Sequence, residues 1–220
     1  MVVASLLIGA AALGCLRLLI RLQSRQPIES ANAVLVGLAD CYHSSTYDAT
    51  GGGRLRNYVD ADDLLARPLP TMEAVADWLT EQLRRFPDER ICFLDKDAGP
   101  VGPVACAWLL AMRLQRSVSI LRVHKDMLWM SFKGARLGQG DRVVLVDDVV
   151  RTGLHVVKAQ KRLASVGARV VAVVAFVDRR SEVKLDPELD PKIEIVAACA
   201  VPKLLEHVDQ TRSGKPAYDA

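Results

Sequence analysis

The segment that most constrains this chain is Val143-Val144-Leu145-Val146-Asp147-Asp148-Val149-Val150-Arg151-Thr152-Gly153-Leu154-His155. Four apolar residues run straight into two adjacent carboxylates, and a Thr-Gly turn precedes a helix-like stretch. An apolar run without alternation marks a strand buried on both faces, the habit of parallel sheets covered by helices. Open sheets of that kind collect ligands at the carboxyl ends of their strands, where the paired aspartates fall. The Thr152-Gly153 turn opens a helix, and the unsatisfied N–H groups of a helix N-terminus suit a phosphate. Carboxylates for hydroxyls or a metal, beside a phosphate cradle, point to a phosphorylated sugar. The competing reading is a buried strand that ends in solvated aspartates.

The remaining chain suits such a sheet. Half of its 220 residues are hydrophobic but only 5% are aromatic, so the core is Val, Leu, Ala and Ile. A net charge of +3 from dispersed basic residues offers no nucleic-acid footprint. The five cysteines lack metal-type spacing, and Cys92, Cys106 and Cys199 lie among apolar residues, as buried free thiols do in a reducing compartment. Length allows one substantial domain.

Three segments follow: a hydrophobic helix over 1–21, a polar linker over 22–30 and an α/β domain over 31–215. Met1 to Leu16 carry no charge, and Arg17, Arg21 and Arg25 come after them. Sixteen helical residues span about 24 Å, and extension through Ile20 with Arg17 snorkelling brings the segment near the thickness of a hydrocarbon core. It reads first as a membrane anchor that leaves the domain in the cytoplasm. A soluble helix packed on the domain or a partner, and a cleaved signal, are the alternatives. Within the domain, the patterns predict helices over Ala31–Cys41, from a Thr71 cap with Glu73 in the first turn to Pro87, and over Val104–Leu114, 154–166 with Gly167 as C-cap, and Lys203–Val208. Strands are predicted at Asn57–Val59, Ile91–Leu94, Val118–Val123, Arg142–Val146, Val170–Val177 and Ile193–Ala198, with no internal repeat. Alternating strands and helices indicate a mostly parallel sheet flanked by helices.

The opening motif resembles the phosphoribosyl-diphosphate (PRPP) motif of type I phosphoribosyltransferases, and the similarity extends over roughly 45–210. The resemblance implies that fold, Mg²⁺ as cofactor, PRPP and a nucleobase as substrates, and a homodimer. Asp147 and Asp148 would then address the ribose hydroxyls and, indirectly, the metal. Arg151, Thr152, Gly153, Leu154 and His155 would hold the 5′-phosphate. Within the family the order of features is most similar to the orotate phosphoribosyltransferases. Thr50-Gly51-Gly52-Gly53-Arg54 through Tyr58-Val59-Asp60 is similar to their N-terminal segment near the base. Lys96, Asp97, Ala98 and Gly99 occupy the place of the diphosphate loop, where Asp95 and Asp97 would repel a diphosphate unless magnesium intervenes. Arg122 and Lys125, with His124, would serve the diphosphate. Arg179 would pair with the carboxylate of the base, a task its planar fork suits, whereas Arg180 reads as a surface arginine.

The chain departs from the family pattern in three places. Leu154 and His155 replace a small residue and a hydroxyl, Thr50 replaces a lysine, and Asp126-Met127-Leu128-Trp129-Met130-Ser131-Phe132 puts apolar bulk at the tip of the mobile loop. Three functions are therefore in play: a transferase acting on PRPP and orotate, a non-catalytic PRPP- or nucleotide-binding regulator on the same fold, and a membrane-tethered scaffold using the apolar segment.

Overall fold

In the computed structural model, residues 34–39, 41–48, 54–59, 69–95, 102–123 and 130–212 are described. Their elements in chain order are helix α1 (34–39), strands β1 (Tyr42–Asp48) and β2 (Arg54–Val59), helix α2 (Leu69–Leu83), strand β3 (Arg90–Asp95), helix α3 (Gly102–Leu114), strands β4 (Val118–Val123), β5 (Met130–Gly134) and β6 (Arg142–Val150), helix α4 (Leu154–Ala164), strands β7 (Arg169–Asp178) and β8 (Glu194–Ala200), and helix α5 (Val201–Arg212). The predicted N-terminal hydrophobic helix and linker lie outside these residues, as do Thr50–Gly53, Asp60, Lys96, Asp97, Ala98, Gly99, His124 and Lys125. No helix among the described residues is long and apolar enough to cross a membrane.

β1 and β2 form an antiparallel pair of their own, and the main sheet has the order β5-β4-β3-β6-β7-β8. Five of its strands are parallel, and β5 runs antiparallel along the β4 edge. Counted along the chain, the parallel strands give the order 2-1-3-4-5, so the winding reverses between β3 and β6. Ligands of open α/β sheets bind at such a reversal.

Side-chain alternation sorts the central strands between two layers of helix. Ile91, Phe93, Val144, Val146 and Val174 pack with Val75, Leu79 and Leu83 of α2, Leu110 of α3 and Leu204 of α5. On that side Trp78 and Phe176 meet at 6.0 Å between ring centroids, tilted by 45°. Cys92, Leu94, Val143, Leu145 and Val173 face the opposite layer, closed by Val156, Ala159 and Leu163 of α4. Leu79, Leu83, Leu110, Leu145 and Leu163 are withdrawn from water completely, each contributing roughly 1.5–3 kcal/mol by that burial. Cys92 and Cys106 are buried as expected, and burial pushes their thiols up to about 12.

Helix starts are where the sequence pattern and the structure differ most consistently. α2, α3 and α5 open on Leu69-Pro70, Gly102-Pro103 and Val201-Pro202, each ahead of the predicted start. Proline is tolerated in a first turn, because its missing N–H has no intrahelical partner there and its φ is already helical. Thr71 thus lies inside α2 rather than capping it, and Glu73 falls beyond the first turn. α2 also stops at Leu83, before Pro87, as the i→i+3 bonds from Arg85 to Gln82 and from Phe86 to Leu83 close its end. α4 ends as expected: Gly167, at φ 80, donates to Ala164, and Ala168 donates to Leu163, the paired bonds of a Schellman stop. β1 was not anticipated. Nor was β5, where Met130-Ser131-Phe132 pairs along β4 as an edge strand.

Candidate active site

The paired aspartates sit one step beyond the place where β6 parts from β3. The β3 ladder stops at Phe93↔Val146, whereas the β7 ladder continues to Val150↔Asp178. β6 therefore does not end at Val146, and Asp147 and Asp148 are strand residues held from the β7 side. Inward alternation breaks at the same point. Val144, Val146 and then Val149 share one layer, while Val150 joins the layer of Val143 and Leu145. Asp147 Oδ1 accepts the Asp148 N–H at 3.0 Å, and Asp148 Oδ1 accepts the Val149 N–H at 2.6 Å, so each carboxylate is oriented by the next peptide. Asp147 is 4% exposed and Asp148 half-buried, which replaces the picture of solvated aspartates at a strand end.

Three residues past the end of β6, at Gly153, the chain turns into α4. Gly153 is buried at φ 81, ψ 0, a left-handed conformation that costs an L side chain energy. Its carbonyl accepts the Val157 N–H at 2.9 Å, the first bond of the helix. Leu154 and His155 are consequently the first helical residues. The Leu154 N–H reaches Thr152 Oγ1 at 3.3 Å, leaving the hydroxyl proton of Thr152 as a donor. No acidic residue stands in the first turn of α4, so the positive end of its dipole keeps its attraction for an anion. Leu154 and His155 stand where the resemblance implies a small residue and a hydroxyl, and both contribute backbone to the opening turn of α4.

Across the sheet reversal, Asp95 ends β3 opposite Arg122 of β4. Arg122 Nη2 and Nε lie 2.7 and 2.8 Å from Asp95 Oδ2, whose side chain is only 4% exposed. Asp95 was expected to repel a diphosphate; paired in this way, its charge is largely answered by Arg122. Arg179 follows β7 directly and is 5% exposed, its N–H donating to the Val150 carbonyl at 2.8 Å. Arg180 is a partly exposed arginine that folds back on Asp178 with contacts of 2.8–3.2 Å. Burial raises the Asp178 carboxyl, but hydrogen bonds and charge from Arg180 outweigh it and hold the group below its ordinary value.

The structure therefore gathers Asp147, Asp148, Arg151, Thr152 and Gly153 around the end of β6, with Arg179 bonded beside Val150 and the Asp95–Arg122 pair across the reversal. Two contributors escaped the sequence patterns. Asp186 and Leu189, between β7 and β8, both touch the Thr152-Gly153 turn. Their signal was the turn dipeptide Asp186-Pro187. For a metal, Asp147 and Asp148 supply hard oxygen donors, and no group of three His, Cys, Asp or Glu residues forms a cage among the described residues. Two carboxylates fit Mg²⁺, which keeps waters and is commonly shared with substrate phosphates.

The geometry is that of an acid pair followed by a left-handed, helix-opening turn at the reversal of a doubly wound sheet. Comparison with known proteins narrows it. Residues 111–207 match the phosphoribosyl transferase domain family. The orotate phosphoribosyltransferase of Archaeoglobus fulgidus is 31% identical over 134 residues, 59% of this chain and 70% of that protein. Among solved structures, Leishmania donovani UMP synthase shares the fold with a TM-score of 0.64 at 23% identity; the match covers 88% of this chain and 40% of that longer one. Orotate phosphoribosyltransferase from Aeropyrum pernix shares it at 0.62 with 21% identity, over 80% of this chain and 99% of that one. This chain belongs to the type I phosphoribosyltransferase family.

Proposed function

We propose that the chain transfers the 5-phosphoribosyl group of PRPP to orotate and releases diphosphate. The observation that carries this reading is the acid pair followed by the left-handed Thr152-Gly153 turn at the sheet reversal, in a chain that shares 31% identity with an orotate enzyme. The bond from C1 of the ribose to the diphosphate oxygen breaks, and its electron pair leaves with the diphosphate. A ring nitrogen of the base attacks C1 from the opposite face and gives up its proton to the departing diphosphate or to solvent, leaving a nucleoside 5′-monophosphate. Asp147 and Asp148 hold the ribose hydroxyls and stabilise positive charge as it develops. The Thr152 hydroxyl, Gly153, Leu154 and His155 at the start of α4 anchor the 5′-phosphate, with Arg151 adding charge. Arg122, oriented by Asp95, serves the diphosphate together with Lys125 and the loop Lys96–Gly99. Arg179 holds the carboxylate of the base. Bound Mg²⁺ would neutralise the departing diphosphate, and Asp147 and Asp148 are the residues to receive it through its waters. Catalysis of this kind is positioning and electrostatics rather than covalent chemistry.

A non-catalytic PRPP-binding regulator is the second reading, favoured by Leu154-His155 and by β5, which commits part of the expected mobile loop to the sheet. Loss of orotate absorbance on addition of PRPP and Mg²⁺ supports the enzyme. Thermal stabilisation by PRPP without turnover supports the regulator, and neither response sinks both. We also read the chain as a homodimer whose residues 1–21 contact a membrane from the cytoplasmic side. Sedimentation tests the first, and fractionation of the full-length chain against one lacking residues 1–28 tests the second.

A further inference from the structure

A glycine in a phosphate-binding turn reaches φ 81 without strain, but it leaves as easily. Something else must hold Thr152-Gly153 in place, and two contacts from the connection between β7 and β8 do so. The Asp186 N–H donates to the Thr152 carbonyl at 2.8 Å. Leu189 occupies the volume a side chain on Gly153 would take: its Cδ2, Cδ1 and Cγ lie 2.7, 3.2 and 3.3 Å from the position of a Cβ there.

The connection is itself stiff. Asp186-Pro187-Glu188-Leu189 and Asp190-Pro191-Lys192-Ile193 are two consecutive turns of the same design. In each, the aspartate Oδ1 accepts the N–H two residues on, at 2.9 Å both times. Each aspartate carbonyl also accepts the N–H three residues on, at 3.1 Å from Leu189 and 3.2 Å from Ile193. Asp at the first position and Pro at the second preset such turns and reduce the entropy lost on forming them. Each turn delivers an apolar residue to a fixed place: Ile193 enters the core beside α4, and Leu189 lands on Gly153. An ion pair between Lys161 and Glu188 ties the first turn to α4.

We propose that Leu189, presented by the Asp186-Pro187 turn, is a positioning residue that holds the phosphate-binding turn in its left-handed form. It touches no substrate and acts through Gly153, so this inference rests on the functional reading above. Leu189→Ala is expected to raise the KM for PRPP about tenfold, as loosened positioning does, while kcat and the KM for orotate stay within about twofold. Leu189→Met should restore the KM, and Pro187→Gly, which keeps the Leu189 side chain, should raise it about threefold through the slackened turn. Calorimetric titration with ribose 5-phosphate reads the cradle without turnover and should show the same order of affinities. Equal ribose 5-phosphate affinity in wild type, Leu189→Ala and Pro187→Gly overturns the brace while leaving the functional reading intact, as does a lowered Tm with an unchanged KM. A wild-type chain that neither binds ribose 5-phosphate nor responds to PRPP overturns both. Should Leu189→Ala fail to fold, Pro187→Gly carries the same comparison.

Discussion

The two sides of the sheet reversal are built differently. On the β6 side, the acid pair, the phosphate turn and the start of α4 come from one run of residues, 147–155, fastened from outside by Asp186 and Leu189. On the β3 side, the charged pair joins residues 27 apart, Asp95 and Arg122, brought level only by parallel pairing of β3 with β4. The contiguous side is the one to which the proposed function gives the grip on sugar and phosphate. The assembled side is the one to which the proposed function gives the diphosphate, through Arg122. One side is thus legible as a local run of residues, and the other exists only once the strands have paired.

The sharpest way to break that comparison is Asp147→Asn combined with Asp148→Asn. Removing both charges where positive charge develops should lower kcat/KM for PRPP by about 10³-fold or more, read in the orotate absorbance assay, with the circular dichroism spectrum unchanged. Little loss would mean that the local motif does not carry the binding. On the assembled side, Asp95→Ala leaves the half-buried Arg122 without its counter-charge. Breaking a fully buried pair costs roughly 3–5 kcal/mol; with Arg122 reaching solvent, about 2 kcal/mol is expected in urea unfolding. A larger effect on KM than on stability would show that the pair belongs to the site more than to the sheet.

Gly153→Ala tests the fastening of the turn. Its φ alone costs about 1–2 kcal/mol, and the new methyl also collides with Leu189. Adding Leu189→Ala should relieve the collision but not the backbone strain, so the double variant should recover part of the lost Tm and remain below wild type. The smallest effect concerns pH. Because the Asp178 carboxyl lies below its ordinary 3.8 in the folded chain, its pair with Arg180 stabilises fully above that value. The contribution fades as pH falls through the lower folded value. The pair is partly exposed, so about 0.5 kcal/mol is at stake once solvent screening is allowed for. Asp178→Asn should lower stability by that amount at neutral pH and leave it almost unchanged at acid pH where the wild-type carboxyl is protonated, so the acid limb of a Tm–pH profile flattens.

Much of the fold was legible because its signals are local. Apolar runs marked β3, β4, β6 and β7, and Gly167 marked the end of α4. Proline misled the reading at Pro70, Pro103 and Pro202, since as a breaker it says a helix does not continue through it, while its tolerance in a first turn lets a helix begin just before it. β5 escaped because Met130-Ser131-Phe132 has no pattern of its own, and only β4 gives its backbone a partner. Leu189 escaped for a similar reason: nothing in its neighbours names Gly153, 36 positions earlier, as its contact.

Apolar periodicity, charge and glycine conformation act over a few residues, and they suffice for the doubly wound class, the acid pair and the Thr152-Gly153 turn. Tertiary structure alone decided that β6 continues past β3, that Asp95 answers Arg122, and that a proline-set turn braces Gly153. Those outcomes depend on which strands become neighbours, and that is settled by the packing of the whole sheet between its two layers of helix.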